Sequence, residues 1–172
     1  MSNSSPSVES RIDFEEDTVA VIESNVDDVT GEVLSATIER LIRAGALDAT
    51  VSSFLGKKGR MGQTVRVVCH PDTVLKFSTI LVEETGTMGV KVCEYRRLIV
   101  PRAEMNVHLE LRKFSGKAKV KVAMLSSGPR FKVELEDAKK IAETEGIPLR
   151  NVLSIISEAA EKQWKSHSSG NV

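Results

Sequence analysis

Two segments of helical period, each enclosed by segments of alternating period, predict an α+β fold for this 172-residue chain. Val65, Val67 and Cys69 recur at every second position, as one face of a strand does. Leu34, Ile38, Leu41 and Ile42 recur at the spacing of one helix face. Glycines and prolines stand at the joins between these segments, where chain reversals need them.

Taken in order, residues 18–23 form a first strand rich in β-branched residues. Residues 30–44 form a helix that Gly45 stops. A second strand spans 48–55, a basic turn 57–62, and a third strand 64–69. Pro71-Asp72 opens a helix over 71–84 that carries Val74, Phe77, Ile80 and Leu81, and a fourth strand covers 90–100. The order β-α-β-β-α-β is the ferredoxin-like plan, a four-stranded antiparallel sheet with two helices on one face. After Pro101, Met105, Val107, Leu109 and Leu111 alternate with polar residues. Val120, Val122 and Met124 do the same, with Lys117, Lys119 and Lys121 on the wet face. Ser115-Gly116 makes the turn of this hairpin, and Ser126 to Pro129 ends it. Two helices follow: 134–145, stopped by Gly146, and 148–164, opened by Pro148. We therefore expect an acidic disordered lead-in over 1–17, a ferredoxin-like sandwich over 18–101, a hairpin and two-helix subdomain over 102–164, and a frayed tail over 165–172.

Apolar residues make up 41% of the chain, enough for a core, but aromatics only 4%. A stacking surface for single-stranded nucleic acid needs exposed rings, so that class is disfavoured. The 24 cations balance the 24 acids, but unevenly: residues 1–17 hold five acids against Arg11. The body is thus modestly basic, which suits a phosphate-bearing small molecule better than a long duplex and points to no nucleic-acid partner. Cys69 and Cys93 lack metal-ligand spacing and are expected as buried free thiols in a reducing cytoplasm. No signal peptide and no membrane span is visible. The three histidines show no ligand spacing, and no Ser/His/Asp or Cys/His arrangement can be defended.

The densest chemistry lies in Glu23-Ser24-Asn25-Val26-Asp27-Asp28-Val29-Thr30-Gly31-Glu32, where a strand hands over to a helix. Asn25, Asp27 and Asp28 offer hard oxygens of the kind magnesium, manganese or calcium accept. They read equally as a helix start, with Asp28 or Thr30 as cap and the other acids near the positive helix end. Gly56 to Gly62 sets three glycines among Lys57, Lys58 and Arg60, which could approach and neutralise a phosphate, or be a polar hairpin turn. Thr85, Gly86, Thr87 and Gly89 form either a pocket wall or a tight helix-to-strand turn. Arg96 and Arg97 point to opposite faces of a strand, so only one can serve a given site.

In register, these segments resemble the C-terminal domain of the LarC family. Those that carry the likeness are Glu23 to Glu32, Gly45 to Asp48, and Lys57, Lys58, Arg60 and Gly62. With them go Glu84, Thr85, Thr87, Gly89 and Val90, then Glu134, Glu136 and Asp137, and last Gly146, Pro148 and Leu149. The likeness runs over about residues 18–160. Two departures stand out: Met61 replaces the family's usual proline, and Leu135 and Ala138 replace a tyrosine and a cysteine. The resemblance implies insertion of nickel into pyridinium-3,5-bisthiocarboxylic acid mononucleotide, giving the nickel-pincer cofactor. It also implies dependence on CTP with magnesium or manganese, with nickel as the substrate metal of the whole enzyme. On that basis Lys57, Lys58, Arg60, Thr85, Thr87 and Arg96 are expected at the nucleotide and Asn25, Asp27 and Asp28 at its metal. A homo-oligomer is expected, and so is a separate histidine-rich N-terminal subunit or segment, without which this chain would not be active alone. We expected the loop after the first strand and the basic turn to meet across a subunit interface. The alternative is a non-catalytic ferredoxin-like ligand-sensing or oligomerisation module.

Overall fold

The computed structural model describes residues 12–168, with side chains to residue 166; most of the expected lead-in and the end of the tail lie outside the described residues. The chain forms two compact units. Glu16–Ile99 makes one, and residues 12–15 with 100–168 make the other.

In the first unit the elements run β1 (Glu15–Val26), α1 (Gly31–Arg43), β2 (Asp48–Leu55), β3 (Met61–Cys69), α2 (Val74–Thr85) and β4 (Lys91–Ile99). The sheet order is β2-β3-β1-β4, the arrangement of the ferredoxin-like plan. β1 is longer than its apolar run, because Glu15 to Asp17, expected in the lead-in, are already strand. Ion pairs hold them there: Asp17 accepts from Arg97 Nε at 2.9 Å, and Glu16 lies 3.6 Å from Arg96. The Arg97 guanidinium beside it holds the Asp17 carboxyl below its ordinary range.

The register puts Ala20 opposite Cys69, Ile22 opposite Val67 and Ser24 opposite Val65, all buried. Ala49 and Val51 continue these rows on β2. α1 and α2 cover this face with Leu34 and Leu41, and with Phe77, Ile80 and Leu81. Each large aliphatic chain so buried contributes about 1.5–3 kcal/mol. Ile42, placed on the buried face by its spacing, is exposed. The other sheet face is polar, with Glu23 opposite Arg66 and Asn25 opposite Thr64.

Helix ends follow the sequence closely. Thr30, not Asp28, caps α1, its hydroxyl accepting from Val33 N at 3.5 Å. Gly86 ends α2 at φ +68°, a conformation that costs glycine little. Arg40, near the end of α1, reaches Glu84 and lies 3.5 Å from Glu83 on α2.

In the second unit, β5 (Arg102–Glu110), β6 (Ser115–Leu125) and β7 (Gly128–Val133) form a sheet in that order, followed by α3 (Leu135–Glu145) and α4 (Leu149–Ser168). The expected hairpin is therefore joined by a third strand. Gly128, at φ +112°, allows the tight reversal that lets Phe131 pair with Val122. α4 also runs into the segment expected as a frayed tail, as far as Ser168. Val107, Val120, Ile141, Val152 and Ile156 make a core separate from the first.

Cys69 is buried, and burial pushes its thiol above the ordinary value; Cys93, expected buried, is exposed. The reason is positional: β4 is an edge strand, and along most of its length neither face is covered.

Candidate functional site

The acidic loop and the basic turn meet at one end of the first unit's sheet, within a single chain. This corrects the expectation that they meet across a subunit interface. β1 and β3 are antiparallel neighbours, and Val26 at the end of β1 stands opposite Gln63 near the start of β3. The β2–β3 turn must therefore close beside Asp27. Arg60 Nη1 lies 3.5 Å from Asp27 Oδ2, with both side chains largely in water. A cavity of about 250 Å³ opens there, lined by Asp27, Phe54, Gly56, Lys57, Lys58 and Arg60.

The turn is tightly drawn. Gly56 N donates to Arg60 O at 2.7 Å, and Lys57–Gly59 form one 3-10 turn inside that closure. Lys58 adopts φ +62°, alone among the described non-glycine residues in the left-handed region. Such a conformation persists only where the surroundings enforce it. Among the described residues no ion pair engages Lys57 or Lys58, so their charges are available to an anion.

The other sequence-marked residues divide. Asn25 sits on the polar sheet face, where its Oδ1 accepts from Thr64 Oγ1 at 2.9 Å. Asp28 is exposed in the loop before α1. Glu23 is taken by Arg66, whose Nε donates to its Oε1 at 2.7 Å. Thr85 is buried, and its hydroxyl donates to Leu81 O at 2.6 Å. Thr87 Oγ1 lies 2.6 Å from the buried Ser24 Oγ and donates to Gly89 O at 3.1 Å, which ties that turn to the helix side of β1. Arg96 is exposed beside Glu16 at the opposite end of β1, away from the cavity. The acids at 134–137 serve the second unit. Glu134 pairs with Lys121 at 2.9 Å, and Asp137 accepts from Lys119 N at 2.9 Å.

Sequence reasoning missed Phe54, which lines the cavity and stands opposite Gly62 in the β2–β3 register. The signal was present: an aromatic residue facing a glycine across a tight hairpin covers the bare backbone. A larger, mainly apolar hollow of about 590 Å³ lies in the second unit, against Pro101, Val122, Met124 and Trp164. It gathers none of the marked cations, and an anion has no reason to enter it.

The donor set can be tested against a metal. Asn25, Asp27 and Asp28 supply hard oxygens only, and among the described residues no group of three or more His, Cys, Asp or Glu forms a cage. An ion that takes one or two carboxylates and completes its shell with phosphates and water, as magnesium and manganese do, would not need such a cage. The donor set does not fit a nickel or zinc site built from nitrogen and sulfur ligands.

Residues 6–153 match the family model described as nickel insertion protein. A protein of Methanothermobacter thermautotrophicus named for nickel insertion is 38% identical over 151 residues, covering 87% of this chain and 36% of the relative. One of Methanosarcina mazei is 37% identical over 149 residues, 85% of this chain and 38% of the relative. The chain thus spans little more than a third of the length of the curated relatives it matches. Among solved structures, it is similar to LarC2, the C-terminal domain of a cyclometallase involved in synthesis of the NPN cofactor of lactate racemase, in apo form. The TM-score is 0.76 at 28% identity, over 86% of this chain and 99% of that one. A Methanopyrus kandleri protein gives TM-score 0.62 at 25% identity, over 88% and 92%. The sandwich of two helices on a β2-β3-β1-β4 sheet, the strand-and-helix unit after it, and the matched sequence together place this chain in the nickel insertion protein family, in the region that corresponds to the LarC C-terminal domain.

Proposed function

We propose that this chain is the CTP- and divalent-metal-binding C-terminal domain or subunit of a LarC-type protein that inserts nickel into pyridinium-3,5-bisthiocarboxylic acid mononucleotide. The observation that carries this reading is the cavity at which Asp27 faces Lys57, Lys58 and Arg60. A triphosphate carries about four negative charges and travels with a hard cation, so it needs both signs at one place. The three cations meet the phosphate oxygens. Asp27 and Asp28, with Asn25 beside them, hold the magnesium or manganese directly or through its waters. Such an ion, when bound, would neutralise phosphate charge. Nickel is substrate, handled by the whole enzyme with a histidine-rich N-terminal part, and not the ion expected here.

A cavity of about 250 Å³ takes the phosphate chain and its metal better than an entire nucleotide. The rest of the ligand would lie outside it. Arg96 belongs here only through a second copy, because within one chain it stands at the far end of β1. The exposed edge strand β4, with Val92, Tyr95 and Leu98 all accessible, supports such a homo-oligomer.

A thermal-shift titration tests the reading. With manganese present, CTP at a hundred times its Kd should stabilise the chain by about 2.7 kcal/mol. Lys57→Ala and Asp27→Ala should each lose most of that gain. No response to any nucleotide leaves the ligand-sensing or oligomerisation module as the better account. Full response in both variants moves the site elsewhere on the chain.

A further inference from the structure

Phe54 has no charge and no hydrogen-bonding group, yet it is built into the wall of the cavity. Its ring is wedged between two glycines that flank the basic turn. A methyl group on Gly62 would lie 2.5 Å from the ring's Cζ and 2.8 Å from its Cε1, and also 2.8 Å from the Val26 carbonyl oxygen. One on Gly56 would lie 2.9 Å from Cε2. The ring thus occupies the space that two missing side chains leave. It touches the backbone on both sides of the closure that Gly56 N makes with Arg60 O. Phe54 also faces Gly62 across the β2–β3 ladder, and Gly62 is buried against the carbonyl that immediately precedes Asp27.

We propose that Phe54 is a positioning residue whose ring fixes the Lys57–Arg60 turn at the separation from Asp27 that a metal-bound polyphosphate requires. This deepens the reading of the cavity as a CTP–metal site and rests on it. Arg60 already lies 3.5 Å from Asp27, and a flexible turn could bring Lys57 and Lys58 onto it as well, cancelling the charges before a ligand arrived. A flat ring held on both edges by backbone prevents this. A branched aliphatic chain of similar bulk has no two opposed edges with which to do so. The ordering cost of the turn is then met in folding and not in binding, which raises affinity without a new ligand contact.

Isothermal titration of the full chain with tripolyphosphate and manganese, and separately with CTP and manganese, tests the proposal beside urea denaturation without ligand. Phe54→Leu should weaken binding of both ligands about tenfold, a larger loss than any shift in its denaturation midpoint predicts. Phe54→Tyr keeps the ring and should bind as the parent does. Gly62→Ala, which drives a methyl group into the ring and against the Val26 carbonyl oxygen, should weaken binding at least as much as Phe54→Leu does, and serves if Phe54→Leu does not fold. Parent-like affinity in Phe54→Leu or Gly62→Ala, or loss of affinity in a folded Phe54→Tyr, overturns the positioning role while leaving the CTP reading in place. A parent chain that binds neither ligand removes the CTP reading, and the positioning role with it.

Discussion

One corner of the first unit and the strand ends of the second use their polar side chains differently. In the second unit they close the protein's own backbone. Glu145 Oε1 accepts from Lys113 N at 2.7 Å and from Phe114 N at 2.6 Å. Asp137 caps the Lys119 amide. Gln163 on α4 imitates a neighbouring strand, donating to His108 O at 2.9 Å and accepting from His108 N at 3.3 Å, so the edge of β5 is occupied. In the first unit, the corner between β1 and the β2–β3 turn leaves Lys57, Lys58 and Asp28 in water, with only a loose Asp27–Arg60 pair across the cavity. Its edge strand β4 is uncovered as well. Polar groups spent on backbone make a support; groups left unspent beside each other make a site.

The comparison breaks most easily in the cores. Phe77→Ala removes a buried ring, 1% exposed, from under the first unit's sheet, and should cost about 3–5 kcal/mol. Hydrogen exchange should then show lost protection in β1 and β3, with β5 to β7 less affected. Equal loss in both sheets would mean the two units unfold as one. Next in size is Glu145→Ala, which removes the charged acceptor shared by one exposed and one half-buried amide and should cost about 1–2 kcal/mol by urea denaturation. A neutral result would deny that this unit's acids are structural. Lys57→Ala and Lys58→Ala should shift ligand-free stability by no more than about 0.5 kcal/mol. A large loss would make the turn a structural element like those of the second unit.

The smallest effect is a pH dependence at Asp17. Its carboxyl is held below the ordinary 3.8 by the hydrogen bond and charge of Arg97, so the unfolded state binds the proton more readily. The pair's contribution is therefore present above that value and is lost as pH falls through the lower folded value. Urea midpoints of the parent and Asp17→Asn should converge as the solution is acidified below about pH 4. A difference that stays constant there would show that the pair does not stabilise β1.

Much of the fold was legible because it is written locally. Gly86 and Gly146 stop helices in the left-handed region, at φ +68° and +70°, where any other residue is strained. The β2 bounds were read as they stand, since Asp48–Leu55 is flanked by turn residues on both sides. β7 was missed because Gly128-Pro129 looks like an ending. In the structure it is a reversal, paid for by cross-strand contacts that no local window contains. Cys93 was misplaced because apolar neighbours in sequence say nothing of whether a second layer covers the strand.

What the sequence by itself determined is the kind and order of the elements apart from β7, and the chemical character of each loop, since both follow from periodicity and residue type over a few positions. What only the tertiary structure decided is which loops share a corner. The β1–β3 register brings Asp27 to Arg60 and the β2–β3 register sets Phe54 against Gly62, while Arg96 is left beside Glu16 at the other end of β1. Register is set by burying Ile22 against Val67 and Val65 beside Ser24, dozens of residues apart, and the site is assembled as its consequence.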